Sequence, residues 1–287
     1  MTGKDDFFYG MKAKRFLLKR VVPDRLHRFL PRGLTTHALP GCPDRIATRD
    51  EMLRRTSRSA LETYLAVGQS ALDHCEASLL AGGRTFAEVK TCLDLPCGHG
   101  RVLRWLARRI DPAGITACDI DREAVDFCRR EFGVKGVDSS DDLSQLIFSD
   151  SYDLIWVGSL LTHLDSGRCA ALLQKLGSAL RAGGVLVFTT HGESCFTRPG
   201  LPAYGKRFRA LADRMRADFR RHGFCHAPYK ETGYYGIALH SEKYVRDLVA
   251  NHVSAPLRLV RFQVRGWHDH QDVWAYQRSN VGVSPTH

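Results

Sequence analysis

The stretch that most constrains this chain is Thr91 to Leu106, TCLDLPCGHGRVLRWL. Cys92-Leu93-Asp94-Leu95 is a short apolar run broken by one carboxylate, which suits a buried strand. Pro96-Cys97-Gly98-His99-Gly100 is a tight turn. From Arg101 onward, Val102, Leu103, Leu106 and Ile110 recur at helical spacing. A strand, a glycine turn and a helix N-terminus in succession make a nucleotide-type site, because glycines let a ligand approach the backbone and a helix end offers free N–H groups. A dinucleotide fits this turn poorly. Leu103 stands where G-x-G-x-x-G requires its third glycine, and the strand carries Asp94 just before the turn.

The rest of the chain sets this unit in a repeating pattern. Leu61, Tyr64, Leu65, Gly68, Ala71, Leu72, Cys75 and Leu79 predict one or two helices over residues 49–80, ended by Ala81-Gly82-Gly83. After the turn, strands are expected at Ile115–Ile120, Val134–Val137, Tyr152–Gly158 and Val185–Thr190. Helices between them are marked by Ala124, Val125, Cys128 and Phe132, and by Leu172, Leu173, Leu176 and Leu180, the second closed by Gly183-Gly184. Strand–helix alternation at this spacing implies a parallel sheet with right-handed crossovers. Beyond residue 200 the rhythm changes. Phe208, Leu211, Met215 and Phe219 outline a basic helix, and Tyr244, Val245, Leu248 and Val249 a second one with Ser241 as N-cap. Leu257–Val264 and Asp272–Gln277 are close enough in sequence to pair antiparallel.

Composition narrows the class. A chain of 287 residues suits one large α/β domain with an extension. No apolar run approaches the roughly 18 residues of a membrane span, and Lys12, Lys14, Arg15, Lys19 and Arg20 interrupt the apolar runs a signal peptide would need. The nine cysteines are scattered, with no C-x-x-C pair, which fits a reduced cytoplasmic protein and no structural zinc. The net charge of +11 is concentrated: residues 1–33 hold nine Lys/Arg against three Asp, and residues 204–230 hold eight against two. Such segments can meet nucleic acid, an anionic membrane surface or a phosphorylated substrate, or simply form solvated faces.

The turn resembles motif I of the class I S-adenosylmethionine-dependent methyltransferases, D-x-x-x-G-x-G, here Asp94, Gly98 and Gly100. The resemblance covers about residues 85–278. It implies an α/β fold with a doubly wound, mostly parallel seven-stranded sheet, helices on both faces and a C-terminal antiparallel hairpin whose last strand inserts between the fifth and sixth. The expected organisation is a basic, helical N-terminal extension at 1–48 and a methyltransferase domain at 49–280, with an acceptor-side insertion at about 192–240. In that family the acid of motif I lies near the methionine end of the cofactor and the turn Pro96, Cys97, Gly98, His99, Gly100 runs along it. Asp119 ends the second strand, where a carboxylate can accept two hydrogen bonds from a ribose diol. Asp121 competes for that role but also suits an N-cap. Ile120 would touch the adenine face, and Asp138 or Ser139 its edge. Gly158 to Leu164 looks like motif IV of small-molecule methyltransferases, with Ser159 and Leu160 lining the cofactor.

Methyl transfer needs alignment more than covalent help, but an oxygen nucleophile of high pKa needs a base. His163 and His191 are the leading candidates, with His240 a third. Gly266-Trp267-His268-Asp269-His270-Gln271-Asp272 offers H-x-H-x-D but no partner motif in the sequence, so no metal is expected. A similar W-x-x-H-Q-D segment occurs in methyltransferases linked to saccharide assembly. The expected acceptor is an oxygen of a small or saccharide-type molecule, and the basic surplus at 204–230 would fit an anionic one. RNA fits on charge alone, although no RNA-binding module or Asn-Pro-Pro-Tyr-like segment is present. A catalytically silent cofactor binder and an NAD-dependent enzyme are the readings from other classes.

Overall fold

The computed structural model describes residues 36–38, 44–53, 57–197, 206–230 and 233–279. Most of the expected extension, residues 1–35, lies outside them. Two short strands, β1 (Thr36–Ala38) and β2 (Arg45–Ala47), pair antiparallel. Helix α1 (Arg58–Ala81) begins where the Ser57 side chain accepts from the Ala60 N–H at 3.2 Å and stops at Gly82. The core alternation then runs β3 (Cys92–Asp94), α2 (Leu103–Leu106), β4 (Ile115–Asp119), α3 (Arg122–Phe132), β5 (Lys135–Asp138), β6 (Tyr152–Val157), α4 (Ser166–Ala179) and β7 (Leu180–Thr190). After it come α5 (Lys206–His222), β8 (Phe224–Pro228), β9 (Gly236–His240), α6 (Glu242–His252), β10 (Leu257–Trp267) and β11 (Gln271–Arg278).

Seven strands form one sheet in the order β10-β11-β7-β6-β3-β4-β5. β5, β4, β3, β6 and β7 are parallel, and β11 runs antiparallel between β7 and β10. The expected insertion of the last strand is therefore observed. Each central strand sends alternate side chains to two apolar layers. Leu154 and Trp156 of β6 meet Val67, Ala71 and Cys75 of α1 on one side. Ile155 and Val157 meet Leu172 and Leu176 of α4 and Val245 and Leu248 of α6 on the other. Two-sided burial explains why these strands read as continuous apolar runs.

Several boundaries differ from expectation for identifiable reasons. The helix after the glycine turn is regular only over α2. Its flanks tighten into three-residue bonds, Trp105 N to Val102 O at 2.9 Å and Arg109 N to Leu106 O at 2.9 Å, before Asp111-Pro112 ends it. Gly183 and Gly184 do not close α4. They lie inside β7, which is eleven residues long and slips register against β6 between Tyr152 and Leu154. The hairpin β8–β9 was not anticipated: β8 contains Pro228, and β9 is buried along its whole length and shows no alternation. With α5 it forms a third small core from Phe208, Met215, Phe219, Cys225, Ile237 and Leu239.

Gly68 lets α1 lie directly on the turn that follows β3. A Cβ there would collide with the Arg101 carbonyl and come within 2.7 Å of Trp105 Nε1. Gly68→Ala is expected to cost about 1–3 kcal/mol in urea unfolding, and wild-type stability would mean that α1 does not rest on this turn.

Candidate functional site

The glycine turn is tied to the strands on both sides of β3. Leu95 N donates to Trp156 O at 3.0 Å and Cys97 N to Cys118 O at 2.9 Å. The Asp119 carboxylate closes the assembly, accepting from Gly98 N at 2.7 Å and Asp121 N at 3.0 Å. Asp121 instead caps α3, accepting from Glu123 N and Ala124 N. The two acids therefore divide the ligand-side and capping positions between them. Gly98 and Gly100 adopt φ of 47° and 77°, conformations in the left-handed region that favour glycine. A Cβ on Gly98 would point into open space, as a backbone meant for close approach requires.

The C-terminal ends of β3, β4 and β6 open on a cleft with two lobes, of about 360 and 310 Å³. Pro96, Asp119, Ile120, Leu160 and Tyr235 border both. Ser139 lines the first lobe with Leu143, Arg168 and Tyr234. Ile120 is 56% exposed there, an apolar side chain presented to the cleft. Cys97, Gly98, His99, Ser159 and His163 line the second lobe. Five candidates lie elsewhere. Asp94 is buried beneath the turn and Gly100 is buried within it. Asp138 is on the edge strand, 3.3 Å from Arg122. His191 is buried behind His163, their ring centroids 6.2 Å apart. His240 is also interior, its Nε2 3.8 Å from the Cys169 sulfur, and burial pushes its pKa down to about 3.

Asp94 is 1% exposed, and among the described residues neither carboxylate oxygen has a hydrogen-bond partner. Burial and then the neighbouring Asp119 push its pKa well above the carboxylate range, with Arg101 acting in opposition. Burial also raises Asp119, although its two N–H donors pull the other way. Arg101 lines the second lobe, and its guanidinium lies 5.3 Å from the Trp267 ring centroid. A carboxylate of this kind can accept from an ammonium group, and a guanidinium can donate to a carboxylate.

Ser159 sits at the end of β6 with φ of 59°, uncommon for a non-glycine residue. Its N–H donates to Thr189 Oγ1 at 2.8 Å, and Gln271 Nε2 donates to its hydroxyl at 3.0 Å. Thr189 in turn donates to Gln271 Oε1 at 2.6 Å. The facing ends of β10 and β11 thus reach the site: Gln271 fastens the strand-end turn, while Trp267 donates to Val67 O at 3.0 Å and lines the cleft. His163 Nδ1 lies 2.7 Å from Gly236 O and 3.1 Å from Tyr229 Oη. A carbonyl only accepts, so Nδ1 carries the proton and Nε2 is left as an acceptor. Burial lowers the His163 pKa, keeping the ring neutral. Tyr235 packs 4.9 Å from it. Sequence reasoning had quoted Trp267 and Gln271 without giving them these tasks, and it had missed Arg101, Tyr229 and Tyr235. For the last two no signal existed, because β8 and β9 had not been recognised.

A parallel sheet with a ligand cleft outside its strand ends, an acid closing the first turn and a second acid beneath it define a class of nucleotide-cofactor proteins. Residues 92–184, about a third of the chain, match the family model described as a methyltransferase domain. It is 32% identical over 104 residues to a fatty-acid O-methyltransferase of Mycolicibacterium smegmatis, covering 36% of this chain and 37% of that one. It is 30% identical over 135 residues to a malonyl-[acyl-carrier protein] O-methyltransferase of Enterobacter lignolyticus, covering 47% and 49%. The matches thus span less than half of these relatives. Among solved structures, an O-methyltransferase family protein from Burkholderia thailandensis superposes with a TM-score of 0.53 at 15% identity, over 98% of this chain and 75% of that one. A methyltransferase from Clostridium acetobutylicum gives 0.50 at 13% identity, over 74% and 92%. Both share the fold. The unpartnered Asp94 oxygens and the open approach to Gly98 suit S-adenosylmethionine, the cofactor that the motif resemblance implies. No helix among the described residues is long and apolar enough to cross a membrane.

A carboxyl whose folded pKa is raised supports the fold while protonated, and that support is lost as pH rises through the folded value. Asp94→Asn, which stays neutral, is therefore expected to melt higher than the ligand-free wild type at neutral pH, by about 2–4 °C for each kcal/mol gained. The gap should close as the pH falls toward the ordinary carboxylate range. Identical melting temperatures at every pH would mean that the Asp94 carboxylate is satisfied.

Proposed function

We propose that the protein transfers a methyl group from S-adenosylmethionine to an oxygen of a small acceptor seated beside His163, Tyr235 and Trp267. The observation that carries this reading is the fixed tautomer of His163 on the cleft wall. Its Nδ1–H is committed to Gly236 O, so Nε2 is available to take a hydroxyl proton. The bound cofactor supplies an activated methyl on a sulfonium. In this reading Asp94 and Arg101 hold its amino and carboxylate groups, and the Pro96–Gly100 turn follows its length. Asp119 takes the ribose hydroxyls, Ile120 and Leu160 clasp the adenine, and Ser139 meets its edge. Ser159 and Leu160 close the wall between the two lobes. Tyr229 and Tyr235 exclude water around His163, so that the base works in a poorly solvated cleft.

The names of the relatives support oxygen as the acceptor atom, since the two quoted above are O-methyltransferases. A saccharide-type or acyl-type acceptor suits the aromatic side chains of Tyr235 and Trp267 that line the second lobe. A nucleic-acid acceptor is less well supported. On α5, Arg214 and Arg216 pair with Asp218 and Asp213 of the same helix, and among the described residues no α5 side chain lines the cleft.

Three measurements test this reading. Calorimetric titration with S-adenosylmethionine is expected to show binding that weakens about 10–100-fold in Asp94→Asn and in Arg101→Met, the range for a hydrogen bond to a charged group. Wild-type affinity should rise with pH, because binding an ammonium beside Asp94 requires its carboxyl to give up a proton. Asp119 and Arg101, the charged groups facing it, both remain in that variant, as do the protonated thiols of Cys75, Cys92, Cys97 and Cys118, so Asp94→Asn should flatten the dependence. With an accepted acceptor, His163→Gln is expected to lower kcat by about 10²–10⁴ while cofactor affinity stays near wild type. Methylation confined to RNA in a panel of saccharides, fatty acids, hydroxylated lipids and RNA would overturn the acceptor proposal.

A further inference from the structure

Behind His163, on the side away from the cofactor cleft, three metal-ligating side chains converge. His191 directly follows β7. Cys195 lies in the single helical turn Glu193–Phe196 just beyond it. His270 belongs to the connection between β10 and β11. Their ligand atoms all lie within 4.8 Å of one another. His191 and Cys195 are each 1% exposed, and His270 is half-buried. The two imidazoles meet edge to face with centroids 4.8 Å apart.

The sheet register produces this meeting. Asp272 of β11 pairs with Thr190 of β7, so the residues just before β11 must lie across from those just after β7. Short turns then set each side: Cys195 N donates to Gly192 O at 3.1 Å, and His270 N to Trp267 O at 3.2 Å. Asp272 accepts from Arg265 N at 2.8 Å and fills the space against Gly192. The His191 ring hydrogen-bonds the Ala238 backbone, the outer-shell contact that orients metal-binding histidines. Ordinary packing would account for buried aromatic rings, but apolar side chains would serve that purpose without burying two imidazoles against each other and a thiol.

We propose that His191, Cys195 and His270 bind one zinc ion, which clamps the segment after β7 to the β10–β11 turn and so fixes the wall behind His163. Two nitrogens and one sulfur make a donor set suited to zinc, and three protein ligands leave the fourth tetrahedral position to water. Metal–ligand bonds of about 2.0–2.3 Å draw the three side chains closer than they stand here. A thiol binds metal as the thiolate, so the metal must displace the Cys195 proton. One Zn–S and two Zn–N bonds form, the S–H bond breaks, and one proton passes to solvent. The site is independent of the acceptor and of the catalytic assignment.

The test uses the full, untagged chain, stripped with a chelator and titrated with zinc or cobalt alone. The expected result is one metal per chain, a thiolate-to-cobalt charge-transfer band, and one proton released per zinc, read from the dependence of the binding enthalpy on buffer ionisation. Cys195→Ser should remove the band, and both it and His270→Ala should weaken zinc binding about 100-fold or more. Cys225→Ser, which alters a thiol of the same small core, should leave both readouts intact. Absence of the band in the wild-type chain overturns the proposal even if the variants fold poorly. So does a band that persists in Cys195→Ser, or zinc binding equal in wild type and Cys195→Ser.

Discussion

The site depends on one carboxylate. Asp119 accepts the Gly98 N–H from the turn after β3 and the Asp121 N–H that leads into α3, joining two strand–turn–helix units at their ligand edge. Hydrogen bonds to an ionised acceptor are stronger than neutral ones, and this one spans 21 residues of sequence. It holds the turn in the left-handed conformations of Gly98 and Gly100, keeps the Gly98 backbone accessible, and places its own carboxylate on the wall shared by both lobes of the cleft.

Around that brace the protein carries polar features that a fold optimised for stability alone would avoid. Asp94 is buried without a hydrogen bond, Arg101 faces the cleft without an ion pair among the described residues, and Ser159 holds a positive φ at the end of β6. Such features persist only where their surroundings over-determine them. Here the surroundings are visible. Leu93 and Cys92 fill both faces beside Asp94, and Thr189 and Gln271 pin Ser159 from β7 and β11. The concentration of these costs at one edge of the sheet separates the ligand edge from the plain packing of the opposite edge.

Much of this was legible in the sequence because it follows from periodicity. Buried parallel strands appear as apolar runs and amphipathic helices as three- and four-residue spacings, so β3, β4, β6, α3, α4 and α6 could be read before the structure was known. The acid at the end of β4 was legible because Asp121 was better suited to cap α3. What escaped was set by long-range contacts. The hairpin β8–β9 owes its strands to packing against α5 rather than to alternation. Without it, Tyr229, Tyr235 and the Gly236 carbonyl had no assignable place. Asp138 was within reach of the cleft in sequence, yet β5 directs it to Arg122, and only the chain geometry separates it from its neighbour Ser139.

The three-element unit of α5, β8 and β9 has its own apolar core and contributes the Gly236 carbonyl and the Tyr229 hydroxyl that orient His163. In the proposed reading most of the donor-binding residues come from segments between β3 and β7, with Tyr234 and Tyr235 of the β8–β9 connection and Trp267 of β10 also bordering the cleft. On that reading, a lineage could rebuild its acceptor side by exchanging one self-supporting insert while keeping most of the donor-side residues. Recognisable ancestry would then survive in the donor half, and it is there, at residues 92–184, that the family match falls.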